Sequence, residues 1–215
     1  AIFDWDGVVV DSSHIHLKSW EMLAEELDLP LPHNHFERGF GKRNQTIIPD
    51  ILGWTKNIEL IEKWGLRKEE IYREIASSDG IPLAKGSKEF LGRLHPEPFL
   101  CAIGTSTERK NVELAIKQHD LSDFFSASAC SEDVQLGKPN PEVFLKAAAG
   151  LSISPAQCVV FEDSPHGIEA AKSANMKSVA LTTSHPANVF MNLKPDLVIG
   201  SLAEVTPQQI LKLFH

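Results

Sequence analysis

The chain has 215 residues, of which 42% are apolar, so it can bury the core of one large domain, with or without a modest insert. Its 29 acidic and 21 basic side chains give a net charge of -8, which predicts neither a nucleic-acid nor a membrane partner. No apolar run approaches the ~18 residues of a membrane span. Three widely spaced cysteines, Cys101, Cys130 and Cys158, are typical of reduced core residues and predict a cytoplasmic protein.

Short apolar runs bounded by turn residues predict six strands. They lie at 1–3, 99–104, 126–130, 158–161, 178–181 and 196–199. Between them, apolar residues recur at helical spacing around 90–94, 112–119, 143–148 and 168–174. Asn140 before Pro141 and Ser164 before Pro165 predict the first residues of two of these helices. The alternation predicts an α/β fold with a Rossmann-like, doubly wound parallel sheet.

The segment 13–78 departs from this alternation and contains no strand pattern. Two amphipathic stripes predict helices there, and Gly65 interrupts the second. The stripes consist of Leu17, Trp20, Leu23, Ala24 and Leu27, and of Ile58, Ile61, Trp64, Ile71, Tyr72 and Ile75. We therefore expect residues 1–12 and 79–215 to form the core domain and 13–78 an inserted all-helical domain.

Two aspartates, Asp4 and Asp6, follow the first predicted strand. Residues i and i+2 of a strand point to the same side, so both carboxylates can face one site, and Gly7 lets the chain turn away. A bound cation would relieve their repulsion, and a site of oxygen ligands suits Mg²⁺. The alternative is an ordinary turn at the end of the strand, formed by Asp6 and Gly7.

A second acidic pair, Glu162 and Asp163, follows the fourth predicted strand. The pair could simply complement the dipole of the next helix. In an open α/β sheet, however, ligands bind beyond the carboxyl ends of the strands, and both acidic pairs fall there. Two such pairs at one sheet edge favour a metal site.

Two further segments carry groups suited to binding an anion. Thr105, Ser106 and Thr107 follow a strand and precede a helix, where hydroxyls and backbone N–H groups are available; an ordinary N-cap at Ser106 or Thr107 is the alternative. Lys138 precedes another helix in a loop of Gly and Pro, where it opposes the helix dipole unless an anion needs it; surface exposure is the alternative. Carboxylates, a metal, a hydroxyl and a lysine together indicate phosphoryl transfer.

These motifs resemble those of the haloacid dehalogenase superfamily. "FDWDGVVVDS" is similar to its first signature, "GTS" to its second, "GKPNP" to its third and "VVFEDSPHGIEAA" to its fourth, in that order. The resemblance covers nearly the whole chain. The helical insert resembles the cap of the branch that contains beta-phosphoglucomutase and many small sugar-phosphate phosphatases.

The resemblance implies a role for each residue of these motifs. Asp4 would be the nucleophile that forms an aspartyl-phosphate, and Asp6 the general acid and base. Thr105 and Lys138 would hold phosphoryl oxygens. Mg²⁺ would be bound by Asp4, the Asp6 carbonyl and Asp163. Glu162 would either be a further ligand or contact the ligands without contacting the ion. Asp11 would be structural, and Trp5 would pack rather than react.

The cap would select the substrate. His16 and Trp20 lie on one helix face and match positions in the first cap helix of the mutase, although Trp20 could equally be cap core. Gly39, Gly41, Lys42 and Arg43 would clamp a second phosphate or sugar hydroxyls, or form a solvated turn. Lys68 continues an apolar stripe, so it either extends to solvent or points into the cleft, as the matching lysine of the mutase does. Ser106, Thr107 and Arg109 complete the candidate substrate ligands.

The resemblance therefore implies a Mg²⁺-dependent phosphatase of a small phosphate ester, with a sugar phosphate as the expected substrate, and we expect a monomer. Asp6 argues against a dehalogenase, since dehalogenases lack the second aspartate of the first signature. A phosphosugar mutase uses the same aspartyl-phosphate and is the main alternative. A non-catalytic protein that binds phosphorylated metabolites is the third possibility, and it would not need all of Asp4, Asp6, Lys138 and Asp163.

Overall fold

The computed structural model describes residues 1–95 and 99–215 and contains one six-stranded parallel sheet. In chain order the strands are β1 (Ile2–Phe3), β2 (Ala102–Gly104), β3 (Ala127–Ala129), β4 (Val159–Glu162), β5 (Lys177–Leu181) and β6 (Leu197–Ile199). Their spatial order is β3-β2-β1-β4-β5-β6, so the chain builds one side of β1 and then the other. The point where the order reverses is therefore at β1, where such sheets bind ligands.

Each predicted strand is present, with small shifts at the ends. The predicted strand at 99–104 begins only at Ala102, because its neighbour β1 begins at Ile2 and pairs Ile2 with Ala102. Strand β4 extends to Glu162, one residue beyond the prediction, and pairs there with Ala180 of β5. The sheet confirms the predicted Rossmann-like α/β class.

Helices cover both faces of the sheet. They are α5 (Ser87–Leu94), α6 (Arg109–His119), α7 (Glu142–Gly150), α8 (Pro165–Ser173) and α9 (Pro207–Leu211). Phe3 of β1 packs against Phe90 of α5 on one face, with ring centroids 6.3 Å apart. Its neighbour Ile2 belongs to a separate buried cluster on the other face, together with Phe144 of α7. Burial on both faces explains why the parallel strands are continuous apolar runs.

The predicted helix starts are correct at α8 and need revision at α7 and α6. Helix α8 begins at Pro165, and the Ser164 hydroxyl accepts a hydrogen bond from the Gly167 amide at 3.0 Å. Helix α7 begins at Glu142 rather than Pro141, although the Asn140 side chain still accepts from the Glu142 amide at 3.0 Å. The N-cap of α6 is Glu108, and neither Ser106 nor Thr107 caps it.

The inserted cap consists of helices alone, and every residue from 13 to 79 is described. Its elements are α1 (Ser13–Leu27), α2 (His35–Gly39), α3 (Asn44–Thr46) with a π-helical turn (Ile47–Leu52), and α4 (Ile58–Asp79). Gly65 does not interrupt α4, which corrects the prediction. A Cβ atom there would lie 3.3 Å from the Asn44 Cβ, so the glycine allows α3 to approach α4 closely.

The two connections between sheet and cap lie side by side. The Asp11 amide donates to the Pro82 carbonyl at 2.8 Å, and the Ala84 amide donates to the Val9 carbonyl at 3.0 Å. The Asp11 carboxylate accepts from the Ser13 hydroxyl at 3.2 Å, at the first residue of α1. Asp11 therefore has a structural position where the chain passes into the cap.

Candidate active site

An acidic cluster lies at the carboxyl ends of β1 and β4, where the strand order reverses. Asp4 follows β1, and its amide donates to the Phe161 carbonyl of β4 at 2.9 Å, so Asp4 stands beside Glu162 and Asp163. All three side chains are buried, and carboxylate oxygens of the three lie within 4.8 Å of one another. The repulsion between such close carboxylates is relieved by nearby cations or by protonation.

Lys138 supplies one compensating charge. Its Nζ lies 2.9 Å from Asp4 Oδ1 and 2.6 Å from Glu162 Oε1, and only 1% of its side chain is exposed. Although burial opposes the charged form, Asp4 and Glu162 hold the pKa of Lys138 above its usual value, so the ammonium stays charged. The alternative of a surface lysine does not describe this residue.

Asp163 retains an oxygen without a partner. Its Oδ2 accepts hydrogen bonds from the Thr183 and Ser184 hydroxyls, whereas the buried Oδ1 has no hydrogen-bond partner among the residues that the structure describes. Burial, followed by the charges of Glu162 and Asp4, raises the pKa of Asp163 well above its usual value. Gly7 lies against this carboxylate, because a Cβ atom there would fall 1.8 Å from Asp163 Oδ2.

The cluster fits a small divalent cation. Carboxylate oxygens are ligands that Mg²⁺ prefers, and Oδ1 of Asp163 accepts no hydrogen bond within the described part of the chain. Glu162 is already engaged, since its Oε1 binds Lys138 and its Oε2 accepts from the Ser164 amide at 2.6 Å. Asp4 and Asp163 would therefore hold the ion, and Glu162 would pair with Lys138 instead of binding the ion.

Asp4 and Asp6 both line the cleft, but their surroundings differ. Burial raises the pKa of Asp4 to about 7, against the attraction of Lys138. For Asp6, burial is outweighed by His16, Ser12 and Thr107, which hold its pKa well below the usual range. A bound cation would restore the ionised form of Asp4, whereas Asp6 is ionised without one.

Cap residues reach Asp6 through a chain of hydrogen bonds. Lys68 Nζ lies 2.6 Å from His16 Nδ1, and His16 Nε2 lies 3.2 Å from Asp6 Oδ1. Because the lysine ammonium can only donate, Nδ1 accepts, and Nε2 is left to donate to Asp6. Lys68 is 2% exposed and lies 5.4 Å from the Trp20 ring, so Lys68 lies in the cleft wall and Trp20 belongs to both cap core and cleft.

The cleft between cap and core spans about 760 Å³, a volume that includes space open to solvent. The predicted residues that line it are Asp4, Asp6, His16, Trp20, Gly39, Gly41, Lys42, Arg43, Lys68, Thr105, Ser106 and Thr107. Arg43 also donates to the Gln135 carbonyl at 3.0 Å, and Lys42 Nζ lies 2.5 Å from His166 Nε2, so this loop contacts the core.

Arg109 does not join the other candidate substrate ligands. Its guanidinium donates to the Ser128 hydroxyl at 2.8 Å and to the Asp133 carboxylate, and it is absent from the cleft wall. The substrate ligands that we propose therefore do not include Arg109. Trp5 packs as expected, since it is fully buried and its ring lies edge-on to Phe125 with centroids 6.0 Å apart.

Several functional contacts were not anticipated from the sequence. Ser12 donates to Asp6, and Ser184 donates to Asp163. Ser184 follows β5 at the same sheet edge as the acidic cluster, so the position of strand ends could have indicated it. The buried Glu69 of α4 lines the cleft and forms an ion pair with Lys68. Its position next to Lys68 in the sequence does not indicate that it lies in the cleft.

A parallel α/β sheet with an inserted helical cap and an acidic cluster at its switch point defines a capped α/β enzyme. The sequence model of the family described as haloacid dehalogenase-like hydrolase matches residues 1–181. The chain belongs to this family. No helix of its described part has the length and apolarity needed to cross a membrane.

Relatives with defined names include phosphatases and a mutase. The chain is 35% identical to the chloroplastic 5-amino-6-(5-phospho-D-ribitylamino)uracil phosphatase of Arabidopsis thaliana over 99% of its own length, and spans 57% of that protein. It is 32% identical to the beta-phosphoglucomutase of Bacillus subtilis, with 100% of this chain and 92% of the relative covered.

A solved structure shares the whole fold. The family IA hydrolase of Entamoeba histolytica superposes with a TM-score of 0.88 at 27% identity, covering 99% of this chain and 97% of that one. The similarity extends over cap and core together.

Proposed function

We propose that the protein is a Mg²⁺-dependent phosphatase of small phosphorylated metabolites. Sugar phosphates are the substrate class that we expect. The observation that carries the proposal is Lys138, buried between Asp4 and Glu162, whose acidic cluster includes an Asp163 oxygen with no partner among the described residues. Asp4 lines the cleft and Lys138 pairs with it, so the arrangement offers a nucleophile and a positive charge for a phosphoryl group. Named phosphatases among the relatives support it.

In the proposed reaction, a carboxylate oxygen of Asp4 attacks phosphorus, the P–O bond of the ester breaks, and Asp6 gives its proton to the leaving alkoxide. Asp6 then takes a proton from water, which attacks the aspartyl-phosphate and releases inorganic phosphate and Asp4. The low pKa of Asp6 belongs to the free site, and the negative charge of a bound phosphoryl group would raise it.

The remaining residues bind and orient. Lys138 and Thr105 would hold phosphoryl oxygens, and Lys138 keeps Asp4 in place through its ion pair. Asp4 and Asp163 would hold Mg²⁺, which supplies positive charge to the phosphoryl oxygens when bound. His16, Trp20, Lys42, Arg43 and Lys68 would contact the leaving group from the cap.

A phosphosugar mutase is the second candidate. The identity to beta-phosphoglucomutase extends over the complete chain, and the two reactions share the aspartyl-phosphate. The mutase would return the phosphoryl group to a sugar hydroxyl while the closed cap excludes water. We further propose residues 13–78 as the cap and 1–12 with 79–215 as the core, a monomeric state, and a cytoplasmic location, which the three free buried cysteines support.

Phosphorus NMR of the protein with Mg²⁺ tests the proposal. We would supply beta-glucose 1-phosphate with a trace of the bisphosphate primer, then hexitol phosphates and other phosphate esters. Free phosphate is expected, and the best ester defines the substrate class. Conversion of the 1-phosphate into the 6-phosphate without free phosphate would identify a mutase, and no reaction with any ester would contradict both.

We expect Mg²⁺ to bind more tightly at pH 8 than at pH 6. Burial raises the pKa of Asp4 to about 7 and that of Asp163 above its usual value, so a cation must displace protons at pH 6. Each displaced proton weakens binding by up to about tenfold per pH unit below the pKa. Titration calorimetry at the two pH values checks this.

The variant Asp163→Asn is compared in the same titration. It should weaken Mg²⁺ binding and flatten the pH dependence of that binding. Equal affinity of the unchanged protein at pH 6 and pH 8 would contradict the assignment of these two carboxylates. Phosphate release should cease in the presence of a chelator and return when Mg²⁺ is added in excess.

A further inference from the structure

The amide of Asn111, on core helix α6, is bound at both ends by cap helix α4. Its Nδ2 donates to Glu69 Oε2 at 2.6 Å, and its Oδ1 accepts from Arg73 Nη1 at 3.0 Å. Arg73 also lies 3.2 Å from Glu108 Oε2, at the N-cap of α6. We name these four residues the Asn111 clasp; they join cap to core.

The clasp leads directly to the groups around Asp6. Glu69 Oε1 accepts from Lys68 Nζ at 2.9 Å and from Asn44 Nδ2 at 2.8 Å. Lys68 in turn donates to His16, which donates to Asp6. The Glu69 carboxylate therefore receives donors from three elements, and only one of them, Asn111, comes from the core.

Both side chains of the contact between Asn111 and Glu69 are buried. Asn111 is fully buried and Glu69 is only 5% exposed, so bulk water is a poor replacement for the contact between them. Burial acts to raise the pKa of Glu69, but the charge of Lys68 and the hydrogen bonds from Lys68 and Asn44 outweigh it and hold the pKa below its usual value. An ionised, buried Glu69 that lost the Asn111 amide would keep its charge with one donor fewer.

We propose that Asn111 is a positioning residue: by holding Glu69 and Arg73 of the cap, it fixes Lys68 and His16 against Asp6. The inference rests on the proposed function for the role of Asp6, whereas the clasp itself is a contact between cap and core. Closure of α4 onto α6 then sets the orientation of the group that protonates the leaving alkoxide.

Two variants open the clasp from opposite sides. Asn111→Leu removes both amide contacts, and Arg73→Met, at a side chain 22% exposed, weakens the same clasp where the fold should tolerate the change. The control is Arg67→Met on the same helix, whose ion pairs with Glu26, Glu70 and Glu74 all lie within the cap.

Two esters distinguish positioning from a structural effect. For the best alkyl ester of the panel, both clasp variants should lower kcat about tenfold, since misorientation of a catalytic group has effects of this order or larger. For p-nitrophenyl phosphate, whose phenolate leaves without protonation, kcat should change less than about threefold. The double variant should lose little more than either single variant, because the two side chains act on one contact.

Hydrogen exchange provides a readout that is independent of activity. Amides of α4 and of 105–111 should exchange faster in both clasp variants than in Arg67→Met, while the sheet amides stay unchanged. Equal loss with both esters, or unchanged exchange, would overturn the inference. Failure of the unaltered protein to release phosphate from either ester would overturn the proposed function, and exchange would still decide on the clasp.

Discussion

Replacing Asp4 with asparagine should reduce turnover by at least about a thousandfold, because an amide cannot form the acyl-phosphate. The change keeps the size of the side chain, and Lys138 retains its 2.6 Å contact with Glu162. The fold should therefore survive. Phosphate release measures the loss, and intact-protein mass spectrometry should show no phosphorylated form after rapid quenching with substrate and Mg²⁺.

Asp11→Asn is the matched control for this variant. Asp11 is exposed and belongs to the same acidic segment, but its carboxylate contacts Ser13 rather than the acidic cluster. Its turnover should remain close to that of the unchanged protein. Activity of Asp4→Asn within tenfold of the unchanged protein would remove Asp4 from the role of nucleophile.

Replacing Lys138 with methionine should impair both activity and stability. Activity should fall about 10²–10³-fold, as expected when a group that stabilises transition-state charge is lost. Breaking a buried ion pair by removing one partner costs about 3–5 kcal/mol, because Asp4 and Glu162 would remain buried without their cation. Urea denaturation in the presence of a chelator measures the change in the free energy of unfolding.

The control for the second variant is Lys146→Met. Lys146 is 48% exposed and pairs with Glu142 one helical turn away, so its loss should change the free energy of unfolding by less than about 1 kcal/mol. Added Mg²⁺ should recover part of the stability of Lys138→Met but little of its activity. Equal stability of the two lysine variants would contradict the buried ion pairs.

Much of the fold could be predicted because the signals are local. Apolar runs such as "CVVF" indicate buried parallel strands, and the acidic pairs follow the strands that flank the switch point. The Ser164 N-cap also depends only on its neighbours. Strand ends and the continuity of α4 were less accurate, since they depend on partners distant in sequence, such as Asn44 beside Gly65.

The side-chain partners of the site could not be predicted in the same way. Lys68 is joined to His16 and Asn111 to Glu69 across 52 and 42 positions of the chain, and single-sequence patterns contain no information on such pairs. Arg109 shows the opposite error, because its position after the "GTS" motif suggested the cleft while its guanidinium binds Ser128. Proximity in sequence to a motif does not fix the direction of a long side chain.

The paired connections between sheet and cap have a consequence for how the family can diversify. Because residues 8–12 and 80–84 run next to each other, linked by the Asp11–Pro82 and Ala84–Val9 hydrogen bonds, the intervening helices begin and end at one place. A different set of helices could be grafted between these positions without re-registering the sheet or moving Asp4 and Lys138. Exchange of this single module would create chimaeras that keep the reaction and acquire another specificity.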